Sequence, residues 1–323
     1  VAVQNVTART VGAKKDRTPA APERGSRRPR PARRLRALEP LLWLGPALVL
    51  ILAVVVWPVV EMVRTSLMDI SSTGLTQGFA GGANYSELFA EPDLPGVVLR
   101  TLIWVVGVVT VTITVSLGLA QLLNARFPGR RLVRWALIVP WAASVLMTAL
   151  TWRWMLNNVY GVVNRVLMDV GILDKPVNWL ADPVQAFAWM MAAAVFVSLP
   201  FTAFVILSGL GTIPAEVYEA ARLDGAGPVR TYLGITLPLL RPSLLVAAII
   251  NVINVFNSFP VIWAMTRGGP GFSTDTTTTY MYKLAFDNQD VGESAAMAVV
   301  NFALILLVVL VYLRVVRRRE ETG

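Results

Sequence analysis

Apolar residues in this chain gather in long, nearly continuous runs separated by short polar segments. Neither the strict alternation of a half-buried strand nor the one-sided stripe of a soluble helix accounts for that pattern. A run of about 20 mostly apolar residues is long enough to cross a bilayer as a helix. Six such runs stand out: 41–60, continuing to about 67, then 97–124, 132–156, 185–210, 237–265 and 294–316. The pattern predicts an all-α, polytopic membrane protein with six transmembrane helices. The runs are too long and continuous for the strands of an outer-membrane barrel, and no 34-residue or similar repeat is visible.

The polar segments between the runs set an orientation when only Lys and Arg are counted. Residues 68–96 contain neither, whereas 125–134 contain Arg126, Arg130, Arg131 and Arg134. This places the first segment outside and the second in the cytoplasm. Residues 1–40 hold eleven Lys/Arg against Asp16, Glu23 and Glu39, and the chain ends in the basic stretch Arg314 to Arg319. Both ends are therefore read as cytoplasmic, which requires an even number of spans. Alternation then puts 157–184 and 266–293 outside.

Composition agrees with the patterning. Of 323 residues, 55% are hydrophobic and 15% charged, with a mean hydropathy of +0.59, well outside the range of an ordinary soluble domain. The net charge of +9 sits almost entirely in residues 1–40. That Pro/Arg-rich tail has too few apolar residues to bury a core and is read as a disordered cytoplasmic tail at the membrane face, not a nucleic-acid-binding element. The chain has no Cys and no His, which excludes thiolate zinc sites, a Cys nucleophile and the commonest general base.

A primary pump needs a nucleotide site, and the phosphate-cradling pattern GxxxxGK[ST] is absent: no lysine is followed by Ser or Thr. An ion-coupled carrier needs an ionisable residue near the bilayer midplane. Arg64, Arg100, Arg153 and Arg241 all lie towards span ends, where long cations snorkel. A membrane-embedded enzyme would want an acidic cluster, and Asp275, Asp287, Asp290 and Glu293 read as a solvated loop. Neither a catalytic residue nor a metal site is expected.

One polar interruption differs from the other segments. Between the fourth and fifth runs, residues 216–240 read EVYEAARLDGAGPVRTYLGITLPLL. A helix is expected from Thr212 or Ile213, with Pro214 in its first turn, to Asp224; Gly225 and Gly227 stop it, and Pro228 opens a second helix ending near Gly234. The first arm is too short to span. Glu216, Glu219, Ala220 and Leu223 follow at i, i+3, i+4 and i+7, so acids and small residues share a stripe suited to a protein groove.

Here the residues resemble a family. Glu219-Ala220-Ala221, three residues, Gly225, nine residues and Ile235-Thr236-Leu237-Pro238 reproduce the EAA loop of membrane subunits of ATP-binding-cassette importers, a match far more specific than a lone glycine motif. FAGGANYSELFAEPDL and MTRGGPGFSTDTTTTYMYKLAF resemble segments of the carbohydrate branch, of maltose and glycerol-phosphate type, and the similarity extends from about Leu41 to Arg318. It implies a type I importer permease fold over 41–318, a coupling hairpin at 212–238 and a short cytoplasmic end at 319–323. It further implies a second permease subunit, a dimeric cytosolic ATPase that alone uses ATP and Mg, an extracytoplasmic solute-binding protein, and residence among the lipids of a bacterial cytoplasmic membrane. Glu216, Glu219, Ala220, Ala221, Asp224 and Gly225 are the implied ATPase-coupling residues.

Solute contacts are sought in the fifth run. Asn251, Asn254, Asn257 and Ser258 fall within one 120° arc at 100° per residue, opposite Val252, Ile253, Phe256 and Phe259. Amides do not belong against lipid, so this face meets either a water-filled cavity or a neighbouring helix as hydrogen-bonding glue. The resemblance points Asn251, Asn254 and Ser258 towards solute, and adds Ser198 and Phe201 beside Pro200. Pro200 and Pro260 either border a cavity or kink their helices. The expected function is that of a permease subunit importing a sugar, with a polyol such as glycerol phosphate or a secondary carrier as alternatives.

Overall fold

The computed structural model describes residues 43–320. The basic tail expected at 1–40 and residues 321–323 of the expected C-terminal end lie outside the described residues. The chain divides into two units at Val56, and the elements that form the sites below belong to the second, which begins at Trp57.

In chain order the elements are α1, Trp43–Ser66; a hairpin of β1, Met68–Ile70, and β2, Thr76–Phe79; α2, Ala83–Ala90; α3, Leu94–Asn124; α4, Arg130–Ala142; α5, Val145–Met155; α6, Val162–Asp169; and α7, Pro183–Gly211. There follow α8, Ala215–Leu223; α9, Pro228–Leu239; α10, Arg241–Phe256; α11, Phe259–Met265; α12, Thr277–Phe286; and α13, Val291–Glu320. Local chemistry accounts for several starts. Asp182 caps α7 by accepting the Gln185 amide at 2.9 Å, with Pro183 in the first turn. Thr276 and Thr279 form a reciprocal capping box at the head of α12.

Among the described residues, four helices, α1, α3, α7 and α13, are long and apolar enough to cross a membrane, and α9 with α10 makes a fifth if that pair, bent by 64°, is one span. The protein is thus a multi-pass membrane protein, but two of the six runs are not single helices. The third is split at Ala143–Ser144 into α4 and α5, because Ser144 takes an extended conformation (ψ 137°) and caps α5, its carbonyl accepting the Thr148 amide at 2.9 Å. The fifth breaks at Leu240 and again at Asn257–Ser258. Hydropathy counts apolar length and is blind to a single residue leaving the helical region.

The core is built on α3 packed along α7, with α10 against both. Trp104 and Val108 of α3, Met190 and Ala193 of α7, Val255 of α10 and Ile262 of α11 are buried together. Close approach of α7 to α10 depends on Gly209, where a Cβ would run into the Ser243 side chain, as is common when small residues mediate helix packing in lipid. A second cluster joins Leu88, Val97, Tyr280, Leu284 and Met297, where α2, α3, α12 and α13 meet.

The acidic segment expected to be solvated is partly internal. Asp275 is fully buried and Glu293 nearly so, while Asp287 stays exposed. Asp275 Oδ2 accepts from Lys283 Nζ at 2.7 Å, and Lys283 also donates to Gly271 O at 3.1 Å. Burial pushes the Asp275 carboxyl above its ordinary value, opposed by the Lys283 and Arg100 charges. Two arginines read as snorkelling instead reach backbone carbonyls: Arg100 Nε donates to Asp275 O at 3.1 Å, and an Arg153 guanidinium nitrogen to Ala264 O at 3.2 Å.

Candidate functional site

All six sequence-derived solute candidates border one cavity. Ser198 and Phe201 of α7, Asn251 and Asn254 of α10, and Asn257 and Ser258 of the break that follows line a space of about 470 Å³, within the range of roughly 300–1,000 Å³ usual for small-molecule pockets. None of Val252, Ile253, Phe256 and Phe259, on the opposite arc, lines it. The four polar residues are nevertheless not one helix face, because α10 ends at Phe256. No lining side chain is charged.

Hydrogen bonding separates these residues. Asn251 is 2% exposed, and both its amide hydrogens are committed, to Thr202 Oγ1 at 2.7 Å and Ala247 O at 2.8 Å. Asn257 Nδ2 donates to Ile253 O at 2.9 Å. The Ser258 hydroxyl donates to Val255 O at 2.6 Å and accepts from Trp104 Nε1 at 2.8 Å. Asn254 is exposed and has no hydrogen bond among the described residues, so its two donors and its acceptor are open to the cavity. Pro200 lies buried inside α7, and Pro260 stands in the first turn of α11, where a missing amide is harmless, while also lining the cavity.

Four residues escape the sequence reading. Trp141, Ala143 and Val145 lie at the α4–α5 break and line the cavity; hydropathy reads 132–156 as one span, and the lone Ser144 among them does not mark a solute-facing wall. Trp104 is a buried brace. Its indole donates to both Val255 O, at 3.0 Å, and Ser258 Oγ across the α10–α11 break, and its ring meets Phe187 edge-on at 5.6 Å. An apolar-looking run hides it, since its indole N–H acts only once α3 lies against α10.

The polar hairpin forms α8 and α9. Pro214 is the N-cap of α8 rather than a first-turn residue. At the other end Gly225, at φ 71°, permits a Schellman closure: Gly225 N–H donates to Arg222 O at 3.1 Å and Ala226 N–H to Ala221 O at 2.9 Å. The second arm does not stop near Gly234 but runs on to Leu239 through a π-helical stretch, Tyr232–Thr236. Thr236 Oγ1 donates to Tyr218 OH at 3.4 Å and ties the arms together.

Glu216, Glu219, Ala220, Asp224 and Gly225 are all exposed, and Leu223 beside them is 89% exposed. Neither Glu216 nor Glu219 has an ion-pair partner among the described residues. Ala221 departs from the expectation that it belongs to the coupling surface. It is buried, because it sits 100° from Ala220 around α8 and faces the protein body.

A model for the family described as the inner membrane component of binding-protein-dependent transport systems matches residues 40–321. The chain is 39% identical over 285 residues to the sulfoquinovosyl glycerol transport system permease protein SmoG of Agrobacterium fabrum, covering 87% of this chain and 91% of that one. It is 32% identical over 280 residues to the trehalose/maltose transport system permease protein MalF of Thermococcus litoralis, covering 87% and 94%. The fold matches a crystal structure of a bacterial ABC transporter involved in alginate import, with a TM-score of 0.77 over 89% of this chain and 99% of that one at 21% identity. The chain therefore belongs to the family of inner membrane components of binding-protein-dependent transport systems, and is a transport subunit rather than an enzyme.

Proposed function

We propose that this chain is one of two permease subunits of an ATP-binding-cassette importer, that it carries a sugar of di- or oligosaccharide type, and that both its ends are cytoplasmic. The observation that carries the reading is the convergence of Ser198, Phe201, Asn254, Asn257 and Ser258, with Trp141, on a single uncharged cavity. Amides and hydroxyls match the alternating donors and acceptors of a sugar, and an aromatic ring offers a flat apolar face to its carbon skeleton. Relatives named for trehalose/maltose and diacetylchitobiose transport support that class. A glycerol-phosphate-type solute, for which relatives are also named, fits less well, because no lining group could neutralise a phosphate.

An extracytoplasmic binding protein delivers the solute, and a pair of cytosolic ATPases supplies the energy with its own ATP and Mg. Those ATPases dock on the outer stripe of α8, where Leu223 is the apolar anchor and Glu216 and Glu219 face cations. Because α8 and α9 join α7 directly to α10, a push on the hairpin moves both polar walls of the cavity. Closure of the ATPases thus changes which membrane side the cavity opens to.

Uptake of labelled maltose, trehalose and diacetylchitobiose into proteoliposomes tests the reading, with this chain reconstituted beside a second permease, the ATPases and the binding protein. Uptake of at least one sugar is expected to require ATP and the binding protein, and to fall about tenfold or more in Asn254→Ala. Uptake by this chain alone, driven by an ion gradient, would refute the proposal.

A further inference from the structure

The turn between α3 and α4 carries guanidinium groups that the solute path does not use. Arg130 N–H donates to Phe127 O at 3.4 Å across Pro128 and Gly129, and Gly129 has φ 94°. Proline presets the first central position of such a turn and glycine supplies the left-handed second. The chain folds back so that Arg126, Phe127, Gly129, Arg130 and Arg131 line a cavity of about 400 Å³.

Among the described residues, no carboxylate pairs with these charges. The ion pairs among the described residues are Arg64–Glu61, Arg165–Asp169 and Lys283–Asp275. Nε of Arg130 and Nε of Arg134 are withdrawn from solvent without a hydrogen-bond acceptor among the described residues. Buried donors of this kind normally have a partner, and a guanidinium fork matches phosphate oxygens bidentately.

A second observation identifies the source of the phosphate. Immediately beyond the arginines, Leu132, Trp135 and Val139 follow at i, i+3 and i+7 on α4, each about two-thirds exposed or more. An apolar stripe starting at a basic pocket has the shape of a phospholipid, head at one end and chains along the other, and an indole one turn from the pocket is the kind of side chain enriched beside headgroups. We propose that the α3–α4 turn binds the phosphate of an anionic phospholipid, whose acyl chains lie along Leu132, Trp135 and Val139. A soluble anion would engage the guanidinium groups alone, whereas a phospholipid engages both the basic pocket and the stripe that starts beside it. The proposal requires only that the chain spans a bilayer and stands whatever the solute proves to be.

The test is native mass spectrometry of the full chain, purified with its transporter partners and titrated with phosphatidylglycerol or phosphatidylcholine of identical acyl chains. Selective retention of phosphatidylglycerol is expected, falling on the order of 100-fold in Arg126→Gln/Arg130→Gln/Arg131→Gln. The single variant Arg131→Gln, at an exposed position, is expected to lose roughly fivefold and decides the matter if the triple variant does not fold. Equal retention of both lipids, or unchanged selectivity in the variants, overturns the proposal. Displacement of phosphatidylglycerol by equimolar inorganic phosphate would make this a soluble-anion site. Loss of the ATPase with lipid retention intact would make it a protein interface. Either result also overturns it.

Discussion

Asn251 Nδ2 lies 2.7 Å from Thr202 Oγ1, joining α10 to α7 across 49 residues of sequence, and Thr202 in turn donates to Ser198 O at 2.8 Å beside Pro200. This relay makes Asn251 a fastener between the two helices that wall the cavity, while Asn254, one turn along, is left open to its contents. Of the two roles open to the asparagines, interhelical glue and solute contact, the structure gives Asn251 the geometry of the first and Asn254 that of the second.

The two residues should therefore respond differently to truncation. Asn251→Ala leaves Thr202 without its donor and should destabilise the protein by about 1–3 kcal/mol, read as a lower melting temperature in detergent. Asn254→Ala should stay within about 0.5 kcal/mol of the parent while depressing uptake. Equal melting temperatures for the two variants would contradict this division.

Leu223 is so exposed on α8 that its replacement should not disturb folding. Leu223→Asp and Glu219→Lys are each expected to weaken ATPase co-purification by about 30-fold, the scale of an interface hot spot, with unchanged thermal stability. Ala221→Leu should do the reverse, lowering stability by about 1–3 kcal/mol through overpacking at a buried position. Pull-down and thermal melts on the same preparations separate the outcomes.

Removing the partner of the buried Asp275 should be severe. Lys283→Met strands the carboxylate and is expected to cost about 3–5 kcal/mol near neutral pH. The folded-state value of Asp275 already lies above the ordinary 3.8, and loss of Lys283 raises it further. Both proteins hold the proton more tightly when folded and lose stability alike as pH rises above 3.8, so the gap between them opens only between the parent's folded value and the higher one of the variant. Melting temperatures of parent and variant should converge on acidification; a constant gap across pH would show that Asp275 does not carry the effect.

Trp104→Phe keeps an aromatic side chain but removes the N–H that bridges Val255 O and Ser258 Oγ, together with part of the buried indole. A loss of about 1–3 kcal/mol is expected, together with reduced uptake, since Ser258 borders the cavity. Hydrogen exchange should increase at Asn257 and Ser258, in the break, before it does in α10. Unaltered exchange at the break would remove Trp104 from the site.

The hairpin was the part of the site most legible in the chain, because proline and glycine act locally. Gly225 stops α8 wherever the rest of the protein lies, since its φ of 71° is a property of one residue. The extent of the second arm was not legible: Gly234 reads as an end, yet the π-helical stretch carries α9 through it to Leu239. The arginine-rich turn was visible as a charge run, but its concavity and unpaired Nε atoms needed the fold-back at Pro128–Gly129.

Apolar runs long enough for a membrane, a polar hairpin between the fourth and fifth of them, and asparagines unsuited to lipid can all be read along the chain. These follow from transfer energies and from backbone restrictions carried by individual residues. The inward turn of Ala221, the burial of Asp275 against Lys283, the division of the third run at Ser144, and the meeting of Trp141 with Asn254 around one cavity come from the packing of the folded chain. Each depends on which groups far apart in the chain come into contact, and the hydropathy of a run is the same whichever neighbour it meets.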